Sequence, residues 1–158
     1  MKHVINVQSN GANPIDGIID NAVRATLQNE EVDVLCVVNV LITDDEGIRE
    51  YNREYRSIDK ATDVLSFPMQ EFIRAGWSGH GELEFDEDTG ELPLGDIIIS
   101  EESVARQATE YGNTAEYETA YLITHSTLHL LGYDHVDESS EKVMHDKSKA
   151  LMHSLGLN

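Results

Sequence analysis

The strongest constraint on the fold lies near the carboxyl end of this 158-residue chain, in the string His125-Ser-Thr-Leu-His129-Leu-Leu-Gly132-Tyr-Asp-His135. His125 and His129 are four residues apart in a helical pattern, so their imidazoles project from one face of a helix, one turn apart. Gly132 is the residue type that ends a helix in a left-handed turn. Such a turn lets the chain fold back and bring His135 toward the other two histidines.

Three neutral imidazoles that converge on one point form a metal site. Imidazole nitrogen suits zinc best, and other divalent transition metals also accept it. Three protein ligands leave a fourth position open, which is typical of catalytic rather than structural zinc. The alternative is three unrelated histidines on a surface helix, and the spacing with its glycine disfavours it. We predict one Zn²⁺ or similar ion per chain, held by His125, His129 and His135.

The histidine string matches the H-x-x-x-H-x-x-G-x-x-H layout of metzincin proteases except at one position. Those proteases carry glutamate directly after the first histidine, where it serves as the general base. This chain has Ser126 there, and a serine hydroxyl is no base at neutral pH. The ligand set is kept and the proteolytic base is missing, so the sequence argues against peptide hydrolysis. A metal held in this way can still polarise a substrate oxygen and lower the pKa of bound water to about 7.

Two further segments carry a family resemblance. Residues 52–68 read NREYRSIDKATDVLSFP, and residues 94–100 read LGDIIIS. Together with the histidine string they resemble the YbeY family, single-domain metal-dependent endoribonucleases that mature ribosomal RNA in bacteria. The resemblance runs from about residue 37 to about residue 135, and three such motifs in this order are highly specific.

The chain departs from the family pattern at a few positions that are neither metal ligands nor the motif arginine. Ser126 stands where the family usually has glycine, and Ser57 and Ala61 stand where it usually has glycine and proline. The segment 69–93 is also longer than the family norm.

The resemblance implies a role for Arg56 and a class of substrate. Arg56 matches the catalytic arginine of the family, and its planar fork suits a phosphodiester that gains charge in the transition state. Without the family pattern, a solvated loop arginine would be the simpler interpretation. The implied partners are single-stranded RNA, namely a ribosomal RNA precursor, and the ribosome or ribosome-associated proteins. A single domain with no base-reading module admits an exposed strand most easily.

Two aspartates are candidates for supporting the metal ligands. Asp96 begins an apolar strand, where it either serves a strand-entry turn or hydrogen-bonds a ligand histidine. Asp134, next to His135, could orient a ligand, help move a proton or cap a turn. The remaining histidines have no ligand spacing and are predicted to be solvated: His3, His80, His145 and His153.

Two functions from other classes stay open. A metalloprotease could recruit its base from elsewhere, such as Glu118, which would have to reach the metal-bound water. A ribosome-assembly factor could bind without catalysis around a structural zinc, which a fourth protein ligand would favour.

The formal net charge of −19 is unusual for a protein that acts on RNA, because RNA binders normally present a basic surface. Four cations, Arg49, Arg53, Arg56 and Lys60, nevertheless fall within one short segment, beside a metal that adds positive charge. Delivery of RNA by another protein or by the ribosome, or a salty cytoplasm that screens the repulsion, would also reconcile charge and function. The charge therefore does not exclude the site.

Length and composition favour one domain, residues 1–158, in the cytoplasm. Cys36 is the only cysteine and lies in an apolar stretch, so we expect a buried, reduced thiol and no disulfide. Residues 1–7 lack the apolar core of a signal peptide. The longest apolar run, 34–42, is too short to cross a bilayer, and no membrane contact is expected.

Periodicity predicts an α+β domain: one mixed sheet of about four strands, with helices packed against it and a zincin-like HxxxH helix. The strands are predicted at 4–7, 32–42 (buried on both sides), 63–67 and 96–99. Helices are predicted after Asn13-Pro14, at a capping box in 43–46, from Ser100 to Gly112, from Asn113 with Glu116, and after Asp137. The predicted core stripes are Tyr117, Tyr121, Thr124, Leu128 and Leu131 on the histidine helix, and Val143, Lys147, Leu151 and Leu155 on the last. Residues 76–91 are predicted to be a mobile or hairpin loop.

Overall fold

The computed structural model describes residues 2–9 and 15–157, in which four strands form one mixed sheet. The sheet order is β1-β2-β4-β3; β1, β2 and β4 are parallel, and β3 runs antiparallel to β4. The prediction of an α+β fold with a mixed four-stranded sheet is confirmed. The strands are β1 (Val4–Gln8), β2 (Cys36–Thr43), β3 (Val64–Pro68) and β4 (Leu92–Ser100).

Five helices pack against this sheet or against each other. They are α1 (Asp16–Asn29), α2 (Asp45–Arg56), α3 (Glu101–Tyr111), α4 (Ala115–Leu130) and α5 (Glu138–Ser154), and a 3₁₀ turn lies at Trp77–Gly79. Helix α4, which carries His125 and His129, is central because it contacts α1, α3, α5, β3 and β4. No helix in the described parts of the chain combines the length and the apolarity needed to cross a membrane.

The two faces of the sheet have different surroundings, as the alternation of side chains requires. Ile97 and Ile99 of β4 belong to the main core with α1 and α4, whereas Ile98 packs in a small second cluster with Ile48 of α2. On β2 only alternate residues are buried, and Asn39 is exposed. The prediction that 32–42 is buried on both sides is therefore wrong: the strand starts at residue 36, and no helix covers all of its second face.

The lone cysteine lies where the sequence predicted. Cys36 is a free thiol, fully buried on the core face of β2. Burial raises its pKa to about 12, and the negative charge of Asp33 adds to the rise. The thiol therefore stays protonated and inert at neutral pH.

Helix ends follow the expected capping rules, with shifts of one residue. Ser100 accepts a hydrogen bond from the N–H of Ser103, and Gly112 ends α3 in the left-handed region, both as predicted. Helix α2 is capped by Asp44 rather than Thr43, because Thr43 is still paired in β2.

The predicted starts of α4 and α1 have different outcomes. Helix α4 is capped by Thr114, whereas the prediction named Asn113. The start predicted at residues 13–14 lies outside the described residues.

The buried faces of the last two helices match the predicted stripes only in part: Thr124, Leu128, Leu131 and Leu151 are buried as predicted. Helix α4 is buried nearly all round, because it lies among three helices and the sheet, while Tyr117 and Tyr121 are only half-buried. On α5 the predicted Val143 is 46% exposed, and the neighbouring Met144 faces the core. The residues of α5 that are buried are Met144, Ser148, Leu151 and Met152.

The segment before β4 is a packed hairpin rather than a mobile loop. Phe72 and His80 form an antiparallel bridge across it. Trp77 is 8% exposed, and its Nε1 donates to Asp33 at 2.8 Å. The buried Gln70 side chain donates to the carbonyls of Glu84 and Pro93, which ties both ends of the segment together.

Candidate metal centre

The three histidines converge as their spacing predicts. Helix α4 places His125 and His129 one turn apart, and the chain then reverses at Gly132. The Nε2 atom of His135 lies 3.0 Å from Nε2 of His125 and 2.8 Å from Nε2 of His129. One ligand atom from each residue falls within 4.8 Å of the other two, so the group can hold a metal ion.

The reversal after α4 requires glycine for two reasons. Gly132 has φ +92°, a conformation that other residues adopt only under strain. A Cβ at this position would also lie 2.4 Å from the Cβ of Phe72, which belongs to the hairpin segment. The hairpin therefore packs directly on the turn that brings His135 to the other two histidines.

Two of the imidazoles, those of His125 and His129, are in surroundings that favour metal binding. Nδ1 of His129 lies 2.9 Å from the carbonyl of Tyr133, so Nδ1 carries the proton and Nε2 offers its lone pair to the site. Burial, together with the neighbouring His129 and His135, lowers the pKa of His125 to about 4. Burial also lowers the pKa of His129. Imidazoles whose pKa is lowered in this way, those of His125 and His129, match the neutral donors that zinc prefers.

Arg56 lies on the same cavity as the histidines. This open cavity of about 710 Å³ is lined by the three histidines, Arg56, Asp134 and residues of β3. Nη2 of Arg56 donates to the carbonyl of Ser66 at 2.8 Å, and the guanidinium lies over the ring of Phe67, 5.5 Å from its centroid. Ser57, with φ 58°, takes the left-handed conformation that turns the chain from α2 toward β3.

The two aspartate candidates have different positions. Asp134 lines the cavity and accepts the backbone N–H of His135 at 2.7 Å, so it caps the turn that holds this ligand. Asp96 is not among the residues that line the cavity. It accepts a hydrogen bond from Asn39, which in turn accepts one from Asn6, so the three side chains form a polar ladder across the sheet.

The position of Glu118 does not provide the base that a protease would need. Its side chain is 5% exposed and accepts a hydrogen bond from Asn113 at 2.7 Å, and it does not line the histidine cavity. Within residues 2–9 and 15–157, the candidate metal group contains only the three histidines. Among these residues, no fourth histidine, cysteine or acidic side chain joins the group as a structural four-ligand site would require.

A buried network behind His129 was not foreseen from the sequence. The Tyr133 hydroxyl donates to Glu30, at the end of α1, whose side chain is only 5% exposed. Lys147 of α5 donates to the same carboxylate at 2.9 Å and lies over the Tyr133 ring. Because these residues come from three distant elements, no spacing in the sequence links them.

His3 and His145, which were predicted to be solvated, contact residues that are distant in the sequence. His3 is 5% exposed, and its Nδ1 accepts the N–H of Cys36 at 3.0 Å, so that prediction is wrong. His145 is exposed, but its Nδ1 lies 2.6 Å from the hydroxyl of Tyr121, whose ring stacks on His125. The position of Tyr121, one turn before His125, is the sequence signal for this contact. His80 and His153 are exposed as predicted.

These features define a domain with a zincin-like histidine site. A helix that carries HxxxH packs on a mixed sheet, a third histidine follows a glycine turn, and an arginine lines the same cavity. The chain belongs to the YbeY family, because its residues 4–156 match the family model described as Endoribonuclease YbeY. The family prediction is confirmed.

Individual proteins agree with this assignment. The chain is 44% identical over 144 residues to Endoribonuclease YbeY of Agathobacter rectalis, covering 89% of this chain and 87% of that one. It is 46% identical over 146 residues to Endoribonuclease YbeY of Caldanaerobacter subterraneus subsp. tengcongensis, covering 92% and 90%. The solution structure of TM1509 from Thermotoga maritima is similar, with TM-score 0.59 and 28% identity over 95% of this chain and 87% of that chain.

Proposed function

We propose that this chain is a zinc-dependent endoribonuclease that cuts single-stranded RNA in the maturation and quality control of ribosomal RNA in the cytoplasm. One observation carries the proposal: Arg56 and the three histidine Nε2 atoms share one open cavity. A cationic fork beside a metal-binding group suits a phosphodiester, whose charge rises in the transition state. The relatives named Endoribonuclease YbeY support the same activity.

The residues of the cavity have distinct roles in this proposal. His125, His129 and His135 would hold the ion, which when bound supplies a Lewis acid and lowers the pKa of a bound water to about 7. Arg56 uses one N–H on the Ser66 carbonyl, which fixes the side chain and leaves its other donors for phosphoryl oxygens. Asp134 and the Tyr133 carbonyl keep two ligand histidines in place.

The proposed substrate follows from the size and charge of the protein. The cavity is open, and the chain has no recognised base-reading module, so an unpaired strand is the form of RNA that it admits most easily. A net charge of −19 disfavours tight binding of free RNA by the isolated protein. The ribosome or ribosome-associated proteins are therefore the proposed partners that present the precursor.

The decisive experiment is a cleavage assay on ribosomal precursor RNA with zinc-loaded protein. Chelator should abolish cleavage, and added zinc should restore it. Arg56→Ala should lower the rate about 10²- to 10³-fold, the usual effect of losing one charge-stabilising group. Arg74→Ala is the matched control, because Arg74 is exposed and does not line the cavity. Cleavage that survives chelation would contradict the proposal, and RNA binding without cleavage would favour an assembly factor.

A further inference from the structure

A large aromatic side chain lies exposed next to the proposed catalytic arginine. Tyr55 precedes Arg56 on α2 and is 62% exposed. Its ring stacks on Tyr51 at a centroid distance of 6.2 Å and meets the edge of Phe67 at 5.7 Å. These contacts hold the ring in place while leaving most of it in water. The packing of the core thus gains little from this tyrosine.

Tyr55 is connected to the metal centre by direct contacts. The ring of Phe67 contacts the ring of Tyr55. The Arg56 guanidinium lies over the Phe67 ring, 5.5 Å from the centroid of that ring. Arg56 lines the cavity of the three histidines. The two rings, here called the Tyr55–Phe67 platform, do not line that cavity themselves: they lie beside Arg56, where Phe67 packs with the small cluster on the α2 side of the sheet.

The charges around the platform suit a nucleic acid strand. Arg53 and Lys60 are exposed on the same segment as Arg56. Arg49 differs, because Asp59 accepts two hydrogen bonds from its guanidinium, at 2.7 and 3.2 Å. The cations left for phosphates are thus those nearest to Tyr55 in the sequence.

The charge of the whole chain makes contacts to bases important. With −19 overall, a few phosphate contacts work against a repulsive background. Stacking of a base on an aromatic ring does not depend on net charge and tolerates any base, because every base has a π-face. An acidic ribonuclease can therefore gain affinity from stacking that it cannot gain from long-range attraction.

We propose that the Tyr55–Phe67 platform is a base-stacking subsite. It would hold the base of a nucleotide that neighbours the phosphate at the metal centre, in single-stranded RNA. The inference rests on the function proposed above. An RNA base is favoured over an apolar protein segment because exposed cations share the segment of the ring, and one of them, Arg56, joins the platform to the histidine cavity.

The test uses the zinc-loaded full chain and a short single-stranded 2′-O-methyl oligonucleotide with 2-aminopurine at successive positions. Affinity is measured by anisotropy and stacking by the quenching of 2-aminopurine fluorescence. Tyr55→Leu should weaken binding about 5- to 100-fold and remove the quenching at one position. Tyr55→Phe should keep both. Tyr111→Leu is the matched control, since Tyr111 is also 62% exposed, at the end of α3, and should change neither.

A second probe separates stacking from support of Arg56. An oligonucleotide that lacks the base at the quenched position should bind wild type and Tyr55→Leu equally. If Tyr55→Leu weakens this abasic probe as strongly as the intact one, the ring only positions Arg56, and the subsite is overturned.

The outcomes also distinguish the subsite from the function on which it rests. Equal binding of the intact probe by wild type and Tyr55→Leu overturns the subsite, and the exposed ring would then suit a protein partner. Cleavage of the precursor by the wild-type protein would still support the proposed ribonuclease activity. A wild-type protein that neither binds the probe nor cleaves the precursor overturns both.

Discussion

The backbone carbonyl of Tyr133 lies 2.9 Å from Nδ1 of His129 and accepts its proton. The same tyrosine is fixed through its hydroxyl by Glu30, which Lys147 also contacts. The orientation of the His129 imidazole therefore depends on the residue that caps the end of α1 and on a residue of α5. Ligand histidines generally need such a partner to fix their tautomer.

The first prediction concerns Glu30. Glu30→Ala removes the acceptor of Tyr133 and leaves Lys147 without its carboxylate, so it should weaken zinc affinity about 10-fold or more, the usual effect of losing such support. Glu30→Gln keeps an acceptor for the tyrosine hydroxyl and should recover part of the affinity. Competition with a chromogenic chelator measures the change. Glu50→Ala, an exposed change on α2, should leave affinity unchanged; equal affinity in Glu30→Ala would contradict the network.

The second prediction concerns metal content. Purified protein should contain about one zinc or similar ion per chain, because three imidazoles converge on one point. His129→Ala should lose the ion, since two remaining imidazoles bind far more weakly. His80→Ala, at an exposed histidine, serves as the control. Elemental analysis measures the zinc content of wild type and of both variants. An unchanged zinc content in His129→Ala would rule out this ligand set.

The third prediction concerns Ser126, where the family usually has glycine. Its side chain is fully buried, and within the described structure its Oγ has no hydrogen-bond partner. Ser126→Ala removes an unsatisfied polar group and should stabilise the fold by about 1 kcal/mol, with zinc content unchanged. Ser148→Ala is the contrast, because the equally buried Ser148 donates to the Met144 carbonyl. Thermal melts should move in opposite directions, and a lower Tm for Ser126→Ala would refute the argument.

The fourth prediction is a dependence of stability on pH through Asp45. The Arg106 guanidinium, aided by Ser103 and Ser100, lowers the pKa of this carboxyl to about 2, from an ordinary value of 3.8. A carboxyl with a depressed folded-state pKa contributes stability above its unfolded value and loses it as pH falls through the folded value. Stability should thus decline between about pH 4 and pH 2.

Asp45→Asn tests this assignment directly. The variant should be less stable than wild type at pH 6 and should show a flatter decline below pH 4. Urea denaturation of the zinc-free protein measures both slopes, and Glu110→Gln, on the exposed surface of α3, should follow wild type. Parallel curves for Asp45→Asn and wild type would assign the acid transition to other groups.

The fifth prediction concerns charge. Replacing Arg53 and Lys60 together by glutamine should weaken RNA binding far more than replacing Arg74 and Lys149, which are exposed elsewhere. Salt screens both the local attraction and the repulsion from the acidic body, so affinity should fall only gently as salt rises. Titrations at several salt concentrations test this. A steep slope, or equal losses from both pairs, would place the RNA on another surface.

The convergence of the three histidines could be predicted because its determinants are local. The spacing of His125 and His129 and the glycine at 132 act over a few residues, where helix geometry decides the outcome. Arg56 needed the family resemblance, since an arginine at the end of a helix has no distinctive local pattern. Helix ends were right to within a residue or so because capping is also a local interaction.

Long-range contacts account for what the sequence could not indicate. Burial of His3 depends on the pairing of β1 with β2, which no local pattern of a lone histidine encodes. The contact of Glu30 with Tyr133 spans 103 residues. The pairing of Asp96 with Asn39 depends on strand register, and a strand-entry position alone did not reveal it.

The contact between Phe72 and Gly132 has a consequence for how related enzymes can vary. The N–H of Gly76, in the turn of this hairpin, also donates to the carbonyl of Leu131, so the hairpin is joined to the end of α4 by packing and by a hydrogen bond. Residues added near 72–76 would displace His135, whereas residues added at the exposed Asp86–Gly90 turn, outside this hairpin, would leave the three histidines in place. The exposed turn can therefore vary in length among related proteins while the geometry of the histidine cluster stays the same.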